Sequence, residues 1–269
     1  MDLPIDYEPL PAAAIRTVGT RETDGVAETI LVYPSRFGGQ RVAALIQPAE
    51  PRAPSPVILY VHWYEPAAHD SNRTQFEAEA RLLAQHGVIS LLVETMWSDR
   101  DWFLKRTQAD DLDNSIQQVI ELRQAMDILL AQAGADASRV AYVGHDFGGM
   151  YGVVVGSVDP RPTCYVIMAA TTRFPDWYLY LPDIEDAARD AFVERMAPLD
   201  PVARVAALAP APLLFQFATD DFHVPVERAQ AFFDAAGEPK ELRWYEAGHG
   251  LNEAAMQDRV AWLAQQLGV

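Results

Sequence analysis

One stretch decides the fold of this chain: Arg139-Val140-Ala141-Tyr142-Val143-Gly144-His145-Asp146-Phe147-Gly148. Its first half is an apolar, strand-like run, and a helix-like stretch of small residues follows it. The pattern predicts a strand that turns sharply into a helix, with Asp146 at the turn and glycines where a Cβ would collide with neighbouring backbone. A carboxylate at such a turn suits attack on an sp3 carbon. It suits acyl transfer poorly, because its attack on an ester would form an anhydride.

Short apolar or alternating runs recur along the chain with helical segments between them. This is typical of an α/β fold with a mostly parallel sheet and helices on both faces. The first two strands are joined by the short connection 35–39, so the sheet is expected to begin antiparallel. One domain is expected to span residues 1–269. Eight strands are predicted, at 28–33, 41–47, 57–62, 89–94, 139–144, 164–169, 213–218 and 241–246.

Two connections are longer than packing requires. Residues 95–113 include Trp97, and residues 171–212 include Trp177, Tyr178 and Tyr180. Long loops in compact domains are usually functional or disordered, and aromatic content disfavours disorder. Both connections follow strands whose carboxyl ends should border a ligand site. We therefore predict that 171–212 is a reduced cap and that the four aromatic residues line a substrate pocket.

Two further polar motifs lie downstream of Asp146. Asp220-Asp221 end a strand-like run, and Gly248-His249-Gly250 follow the last one. A nucleophile, an acid and a histidine in this order match the chain order of α/β-hydrolases. The chain resembles that superfamily over nearly its whole length. Its body is similar to the dienelactone-hydrolase and acetyl-xylan-esterase-like branches, whereas its elbow resembles those of epoxide hydrolases and of haloalkane and haloacetate dehalogenases.

The resemblance implies an eight-stranded α/β-hydrolase fold and a role for each member of a triad. Asp146 matches the carboxylate nucleophile, His249 the water-activating base, and Asp221 the acid that orients the histidine. Asp221 is preferred because of its spacing from the pair Val224-Pro225. Its neighbour Asp220 stays an alternative, because either acid suits a shared triad geometry.

The resemblance also implies donors for the negative charge that develops during the reaction. One is the backbone N–H of Phe147, and the other comes from the loop after the third strand, where Tyr64 is the first choice and Trp63 the second. Epoxide hydrolases have His-Gly-X-Pro in that loop, and this chain departs from the pattern. They also protonate the opening oxygen with a pair of cap tyrosines, and Tyr178 and Tyr180 lie in the matching segment.

These residues lead to one main hypothesis and two alternatives. The main hypothesis is a hydrolase that forms an alkyl-enzyme ester at Asp146, of the epoxide-hydrolase or dehalogenase type. The first alternative is an esterase, lactonase or thioesterase in which Asp146 is a general base for water. The second is a ligand-binding homologue that has lost a serine nucleophile. The retention of His249 and Asp221 argues against it.

The composition and net charge of the chain argue against some classes of binding partner. The formal charge is −17 and the pI is about 4.6, which argues against nucleic acid or an anionic membrane as a partner. There is no run of 18 apolar residues. We expect a cytoplasmic monomer or homodimer that acts on a small-molecule substrate. Cys164 is the only cysteine, so an intrachain disulfide is impossible and a buried, inert thiol is expected.

His62, His69, His145 and Asp146 are residues of types that can bind a metal ion. No pair among them has the tight spacing of His-Glu-X-X-His. The sequence therefore predicts neither a metal nor any other cofactor, and it favours hydrogen-bonding roles for His62 and His145.

Overall fold

The computed structural model describes residues 3–50, 54–68, 70–180 and 184–269. Nine strands are found in this part of the chain: β1 (Arg16–Thr23), β2 (Val26–Pro34), β3 (Gln40–Pro48), β4 (Ser55–Val61), β5 (Ile89–Val93), β6 (Ala135–His145), β7 (Cys164–Met168), β8 (Leu213–Ala218) and β9 (Lys240–Tyr245). They form one sheet in the order β1-β2-β3-β5-β4-β6-β7-β8-β9. The β1–β2, β2–β3 and β3–β5 pairs are antiparallel and all later pairs are parallel. The predicted α/β fold with a mostly parallel sheet is confirmed.

Helices separate most of the parallel strands. The α-helices of the described ranges are α1 (Glu77–Ala84), α2 (Trp102–Lys105), α3 (Asp111–Leu130), α4 (Phe147–Gly156), α5 (Pro175–Tyr178), α6 (Asp186–Met196), α7 (Pro201–Arg204), α8 (Val226–Ala235) and α9 (Glu253–Leu267). Short 3-10 helices span Ala12–Ala14, Arg73–Phe76, Met96–Ser98, Ala197–Leu199 and Val205–Leu208. No helix of the described ranges combines the length and the apolar content that crossing a membrane requires.

The sheet separates two apolar cores. β4 lies near the middle and is buried along its whole length. Because side chains alternate along a strand, its residues feed both cores. Leu59 belongs to the core that includes residues of α3, α4 and α8, and Ile58 belongs to the core that includes residues of α1 and α9. A strand buried on both faces reads as a continuous apolar run, which is what the sequence shows here.

The sheet has one strand more than the predicted eight. The eight predicted strands coincide with β2 to β9, and the additional strand, β1, pairs antiparallel with β2 at the edge of the sheet. All residues of β1 are exposed. Neither of its faces therefore carries the apolar alternation that marks the other strands, and the predicted strand count is wrong for this reason.

The parallel strands bring distant parts of the chain to one edge. Val61 at the end of β4 lies opposite Gly144 of β6, and Ala218 at the end of β8 lies opposite Tyr245 of β9. The residues that follow these strands therefore meet at the carboxyl edge of the sheet. Segment 171–212 follows β7 at the same edge and contains α5, α6 and α7, although its residues 181–183 lie outside the described ranges. Its role as a reduced cap and the single domain over 1–269 stay predictions.

Candidate active site

Asp146 occupies the sharp turn between β6 and α4. Its backbone has φ 53° and ψ −117°, a strained conformation for a residue other than glycine. A Cβ on Gly144 would lie 2.3 Å from the carbonyl oxygen of Gly148, and a Cβ on Gly148 would lie 2.1 Å from that of Val61. Backbone on both sides thus excludes side chains at these two positions. The turn holds the Asp146 side chain at the carboxyl edge of the sheet.

His249 and Asp221 form a hydrogen-bonded pair beside this turn. The His249 Nδ1 atom lies 2.8 Å from Asp221 Oδ2. The other carboxylate oxygen of Asp221 accepts from the backbone N–H groups of His223 at 2.8 Å and Val224 at 3.1 Å. Asp220, by contrast, is exposed and does not contact the histidine through any hydrogen bond of the described residues. The geometry therefore pairs His249 with Asp221 and not with the alternative acid.

The two facing groups at the turn each have an unused acceptor atom. Asp146 Oδ1 and His249 Nε2 are both buried and have no hydrogen-bond partner among the described residues. Because Nδ1 of His249 faces a carboxylate, it carries the proton in the neutral ring, and Nε2 is left as a base. Buried polar atoms are normally paired, so two unpaired acceptors in one place indicate a reactive site.

Burial and charge set the protonation of this pair. Burial raises the pKa of Asp146 to about 7, against the opposing effects of His249 and of the N–H groups of Phe147 and Tyr64. Burial alone would lower the pKa of His249, but the hydrogen bond to Asp221 and the charges of Asp146 and Asp221 outweigh it and raise that pKa. Both groups are thus poised to exchange protons near neutral pH.

The donors that face Asp146 come from two elements. The N–H groups of Phe147, the first residue of α4, and of Tyr64 lie close enough to its carboxyl group to stabilise the charged form. The N–H of Trp63 instead donates to Gln75 Oε1 at 3.2 Å. Tyr64 is therefore the better placed of the two loop candidates. The Trp63 ring has another position, stacked between the rings of His145 at 4.8 Å and His249 at 5.2 Å.

Two histidines beside the site are fully hydrogen-bonded. His62 contacts the carbonyl oxygen of Trp63 at 2.6 Å and Ser98 Oγ at 2.9 Å, and burial lowers its pKa to about 4. His145 contacts Gln75 Nε2 at 2.5 Å and the carbonyl oxygen of His249 at 2.9 Å, and burial lowers its pKa well below the usual range. Both rings are therefore neutral and tie loops together.

A cluster of metal-ligating side chains is absent from the described part of the chain. His69, one of the residues from which a metal site can be drawn on paper, lies outside the described ranges. The expectation that the protein needs no metal stays a prediction.

A cavity of about 520 Å³ opens above Asp146 and His249. Of the four aromatic residues predicted to line it, Trp177 and Tyr180 do so, and Tyr180 is 54% exposed. Trp177 Nε1 is buried without a hydrogen-bond partner among the described residues. The full lining is Trp63, Tyr64, Glu65, Pro66, Phe103, Asp146, Phe147, Trp177, Tyr180, His223, His249 and Gly250.

The other two predicted pocket residues lie behind the wall. Trp97 donates from Nε1 to the carbonyl oxygen of His62 at 3.1 Å, and its ring stacks on Tyr151. The Tyr178 hydroxyl lies 2.7 Å from that of Tyr151 and 3.2 Å from Ser115 Oγ. Neither side chain reaches the cavity, because each polar atom has a partner inside the core. The pair of cap tyrosines therefore has only Tyr180 at the pocket.

Sequence reasoning missed His223 and Phe103 as wall residues. The ring of His223 lies 5.0 Å from that of Trp177 and 5.2 Å from that of His249. Its position two residues after Asp221, in the turn that holds the acid, is a signal from which it could have been found. Phe103 has no such signal, since α2 reaches the pocket only through tertiary packing.

Comparison with known proteins places this geometry in a family. The family model described as the prolyl oligopeptidase family matches residues 74–269, well over half of the chain. The chain belongs to the prolyl oligopeptidase family. No curated protein sequence matches the chain.

Solved structures of similar fold include several esterases. The acetyl xylan esterase from Paenibacillus sp. R4 has a TM-score of 0.74 at 16% identity, over 93% of this chain and 87% of that one. The acetyl xylan esterase 1 from Thermoanaerobacterium sp. JW/SL YS485 has a TM-score of 0.72 at 13% identity, over 97% and 89%. A proposed dienelactone hydrolase from Klebsiella pneumoniae has a TM-score of 0.64 at 18% identity, over 90% and 100%.

These comparisons confirm the α/β-hydrolase fold and the resemblance of the body to acetyl-xylan-esterase-like and dienelactone-hydrolase-like members. Family and fold place the protein among the hydrolases. The comparisons give no support to the epoxide-hydrolase or dehalogenase hypothesis and favour the esterase-like alternative.

Proposed function

We propose that the protein is a cofactor-free hydrolase of small organic esters or lactones, in which Asp146 and His249 together activate a water molecule. The observation that carries the proposal is the pair of buried, unpartnered acceptors, Asp146 Oδ1 and His249 Nε2, at the bottom of one cavity. A water between them can donate one hydrogen bond to each. The similarity of the body to esterases supports an ester as substrate.

The reaction follows from these groups. The water oxygen attacks the carbonyl carbon of the substrate while His249 Nε2 takes a proton, and Asp221 stabilises the resulting imidazolium. Asp146 orients the water and does not attack, because attack would produce an anhydride. The acyl C–O bond of the tetrahedral intermediate then breaks, and His249 returns its proton to the departing alkoxide. The products are a carboxylic acid and an alcohol.

Trp177 Nε1 is a donor for the charge that develops on the substrate, whereas the N–H groups of Phe147 and Tyr64 stabilise the charged form of the Asp146 carboxyl group. Trp177 lines the cavity, and its Nε1 atom is buried without a hydrogen-bond partner among the described residues. Donors fixed in place before the reaction stabilise an oxyanion more than water would. The aromatic lining and a volume of about 520 Å³ suit a small aryl or alkyl ester.

A second candidate is displacement at an sp3 carbon, and one observation favours it. The N–H groups of Phe147 and Tyr64 already act on the carboxyl group of Asp146 itself. They would then stabilise the tetrahedral intermediate formed when water attacks an alkyl ester at Asp146 Cγ. A good leaving group such as halide suits this route better than an epoxide, because the Tyr178 hydroxyl is bonded inside the core.

A panel of esters, lactones, haloalkanes and epoxides separates the candidates. We expect ester or lactone turnover by the wild type, and its loss in Asp146→Ala and His249→Ala. His249→Gln should show no mass increase after incubation with any substrate. A stable adduct on Asp146 in His249→Gln, obtained with haloalkanes or epoxides, would establish the second candidate instead. Binding without turnover across all four panels would leave a ligand-binding homologue.

A further inference from the structure

Two more cavities continue from the active-site pocket along the segment that follows β7. A small one, of about 260 Å³, shares Trp177, Tyr180 and His223 with the pocket. An outer one, of about 540 Å³, shares Asp176, Tyr180 and Arg228 with the small one. Tyr180 borders all three. The three cavities therefore lie side by side around Tyr180, the first lined by Asp146 and the outer one by Arg173, and together they are called the groove.

The outer end of this groove is rich in arginine, although the chain as a whole carries −17. Its described lining contains three arginines, Arg173, Arg189 and Arg228, and one acid, Asp176. Asp176 Oδ1 lies 3.1 Å from Arg173 and Oδ2 lies 3.7 Å from Arg228. Within this group of three side chains, two guanidinium groups thus share one buried carboxylate.

The two guanidinium groups are both held and accessible. Their side chains are 49% exposed for Arg173 and 36% for Arg228. Arg228 also contacts Thr171 Oγ1 at 3.4 Å. Asp176 thus contacts both guanidinium groups and Thr171 contacts that of Arg228, while a large part of each side chain stays accessible. An arginine fixed in this way loses little freedom when it binds an anion.

We propose that the outer end of the groove is a subsite for a carboxylate group of the substrate, bound by Arg173 and Arg228. This inference rests on the proposed ester or lactone hydrolysis and specifies its substrate class. The fork of N–H donors on a guanidinium matches the two oxygens of a carboxylate. The preferred substrate then has its scissile ester at Asp146 and His249, an apolar part beside Tyr180, and a carboxylate at the far end.

A matched pair of esters tests the subsite. 4-Nitrophenyl pentanoate and mono-4-nitrophenyl glutarate differ in that a carboxylate replaces the terminal methyl group. We expect the wild type to have the higher kcat/KM for the glutarate ester. Arg173→Gln and Arg228→Gln should each lower the glutarate-to-pentanoate ratio of kcat/KM by about tenfold, mainly through KM, since each removes a hydrogen bond between charged groups. Arg228→Lys should restore part of the ratio.

Arg16→Gln is the matched charge control. Arg16 is exposed on β1 and hydrogen-bonded to Gln40, so its loss changes the net charge by the same amount away from the groove. We expect its ratio to stay at the wild-type value. A ratio that falls as much in Arg16→Gln as in Arg228→Gln would show that net charge alone attracts the glutarate ester, and would overturn the subsite.

A binding measurement separates failure of the subsite from failure of the proposed function. Calorimetric titration with 3-phenylpropionate and 3-phenylpropionamide needs no turnover. We expect the wild type to bind 3-phenylpropionate more tightly than 3-phenylpropionamide. The double variant Arg173→Gln, Arg228→Gln should lose this preference while its Tm stays unchanged. If esters are hydrolysed but the arginine substitutions change neither the glutarate-to-pentanoate ratio of kcat/KM nor the affinity for 3-phenylpropionate, the subsite alone is overturned. Arginine-dependent binding without turnover of any ester overturns the proposed function and leaves the carboxylate subsite standing.

Discussion

The floor and the roof of the pocket are positioned by different kinds of contact. The floor consists of Asp146, Asp221 and His249, and each of them follows directly on a strand of the parallel sheet or lies in the loop after one. The roof is segment 171–180, which lies outside the sheet and is held by side-chain contacts, such as the hydrogen bond between the hydroxyl groups of Tyr178 and Tyr151. The register of the sheet thus positions the three residues proposed to react, whereas the contacts of one short segment shape the opposite wall of the cavity.

The two regions also differ in how far their polar groups are satisfied. Asp146 Oδ1 and His249 Nε2 of the floor have no partner among the described residues, and Asp146 adopts a strained backbone conformation. In the roof, the Tyr178 hydroxyl and the Asp176 carboxylate each have several partners, whereas Trp177 Nε1, at the cavity wall, has none among the described residues. Strain and unpaired groups cost stability and persist at functional sites. The strain at Asp146 and the unpaired atoms of Asp146 and His249 therefore support the proposal that the reaction takes place at the floor.

The largest effect is expected at the acid of the floor. Asp221→Asn should lower kcat/KM by about a hundredfold or more, because the histidine loses the charge that stabilises its protonated form. Asn keeps a side-chain oxygen for the N–H groups of His223 and Val224, so the fold should be retained. The neighbouring change Asp220→Asn should have almost no effect, since that side chain is exposed. Equal losses in the two variants would contradict the assignment of the acid.

The pH dependence of kcat/KM should reflect the titration of Asp146 and His249 in the floor. The proposed reaction needs Asp146 charged and His249 neutral, and both pKa values are raised, that of Asp146 to about 7. Lowering the pH protonates both groups, so kcat/KM should fall by about tenfold or more from about pH 8 to about pH 6. The hydrogen bond to Asp221 raises the pKa of His249. Any residual activity of Asp221→Asn should therefore titrate at a lower pH. A flat profile over this range would exclude His249 as the base.

Substitutions in the roof should lower kcat/KM less than the substitution of Asp221 does. Trp177→Phe removes the unpartnered N–H while keeping an aromatic wall, and should lower kcat/KM by about tenfold. Tyr178→Phe serves as the matched change behind the wall. It should leave kcat/KM close to wild type and lower the free energy of unfolding by roughly 1 kcal/mol, because buried hydrogen bonds to Tyr151 and Ser115 are lost. The comparison fails if Tyr178→Phe slows turnover more than Trp177→Phe does.

The floor could be predicted from the sequence because its residues sit in short motifs tied to strand ends. The order of Asp146, Asp221 and His249 along the chain, with the glycines around Asp146, is enough to bring them to one edge of a parallel sheet. The sequence also ranks Tyr64 before Trp63, and the structure adds a physical reason, because the Trp63 N–H donates to Gln75 Oε1 instead.

The roof and the first strand could not be predicted in the same way. Trp97 and Tyr178 lie in the expected segments, but the carbonyl oxygen of His62 and the hydroxyl of Tyr151 draw their polar atoms into the core. Side-chain direction in an irregular segment depends on such distant partners and not on local pattern. β1 is exposed on both faces and has no apolar periodicity to reveal it.

The smallest expected effect concerns the stability of the floor. The folded state raises the pKa of Asp146 to about 7, so it favours the protonated carboxyl, and the associated stability is lost as the pH rises through that value. Asp146→Asn mimics the neutral form. It should raise Tm by roughly 5 °C at about pH 8 and by much less at about pH 5. A gain of the same size at both pH values would show that the charge of Asp146 is not the source.

Oxygen-18 labelling tests the central claim, that Asp146 and His249 deliver water directly to the substrate. An ester or lactone is hydrolysed over many turnovers in water labelled with oxygen-18. The masses of the acid product and of the proteolytic peptide that contains Asp146 are then measured by mass spectrometry. Direct attack by water puts the label into the acid product and leaves the Asp146 peptide at its original mass. Incorporation of the label into Asp146 would contradict the account, because it requires water to have attacked the carboxyl carbon of a covalent intermediate at that residue.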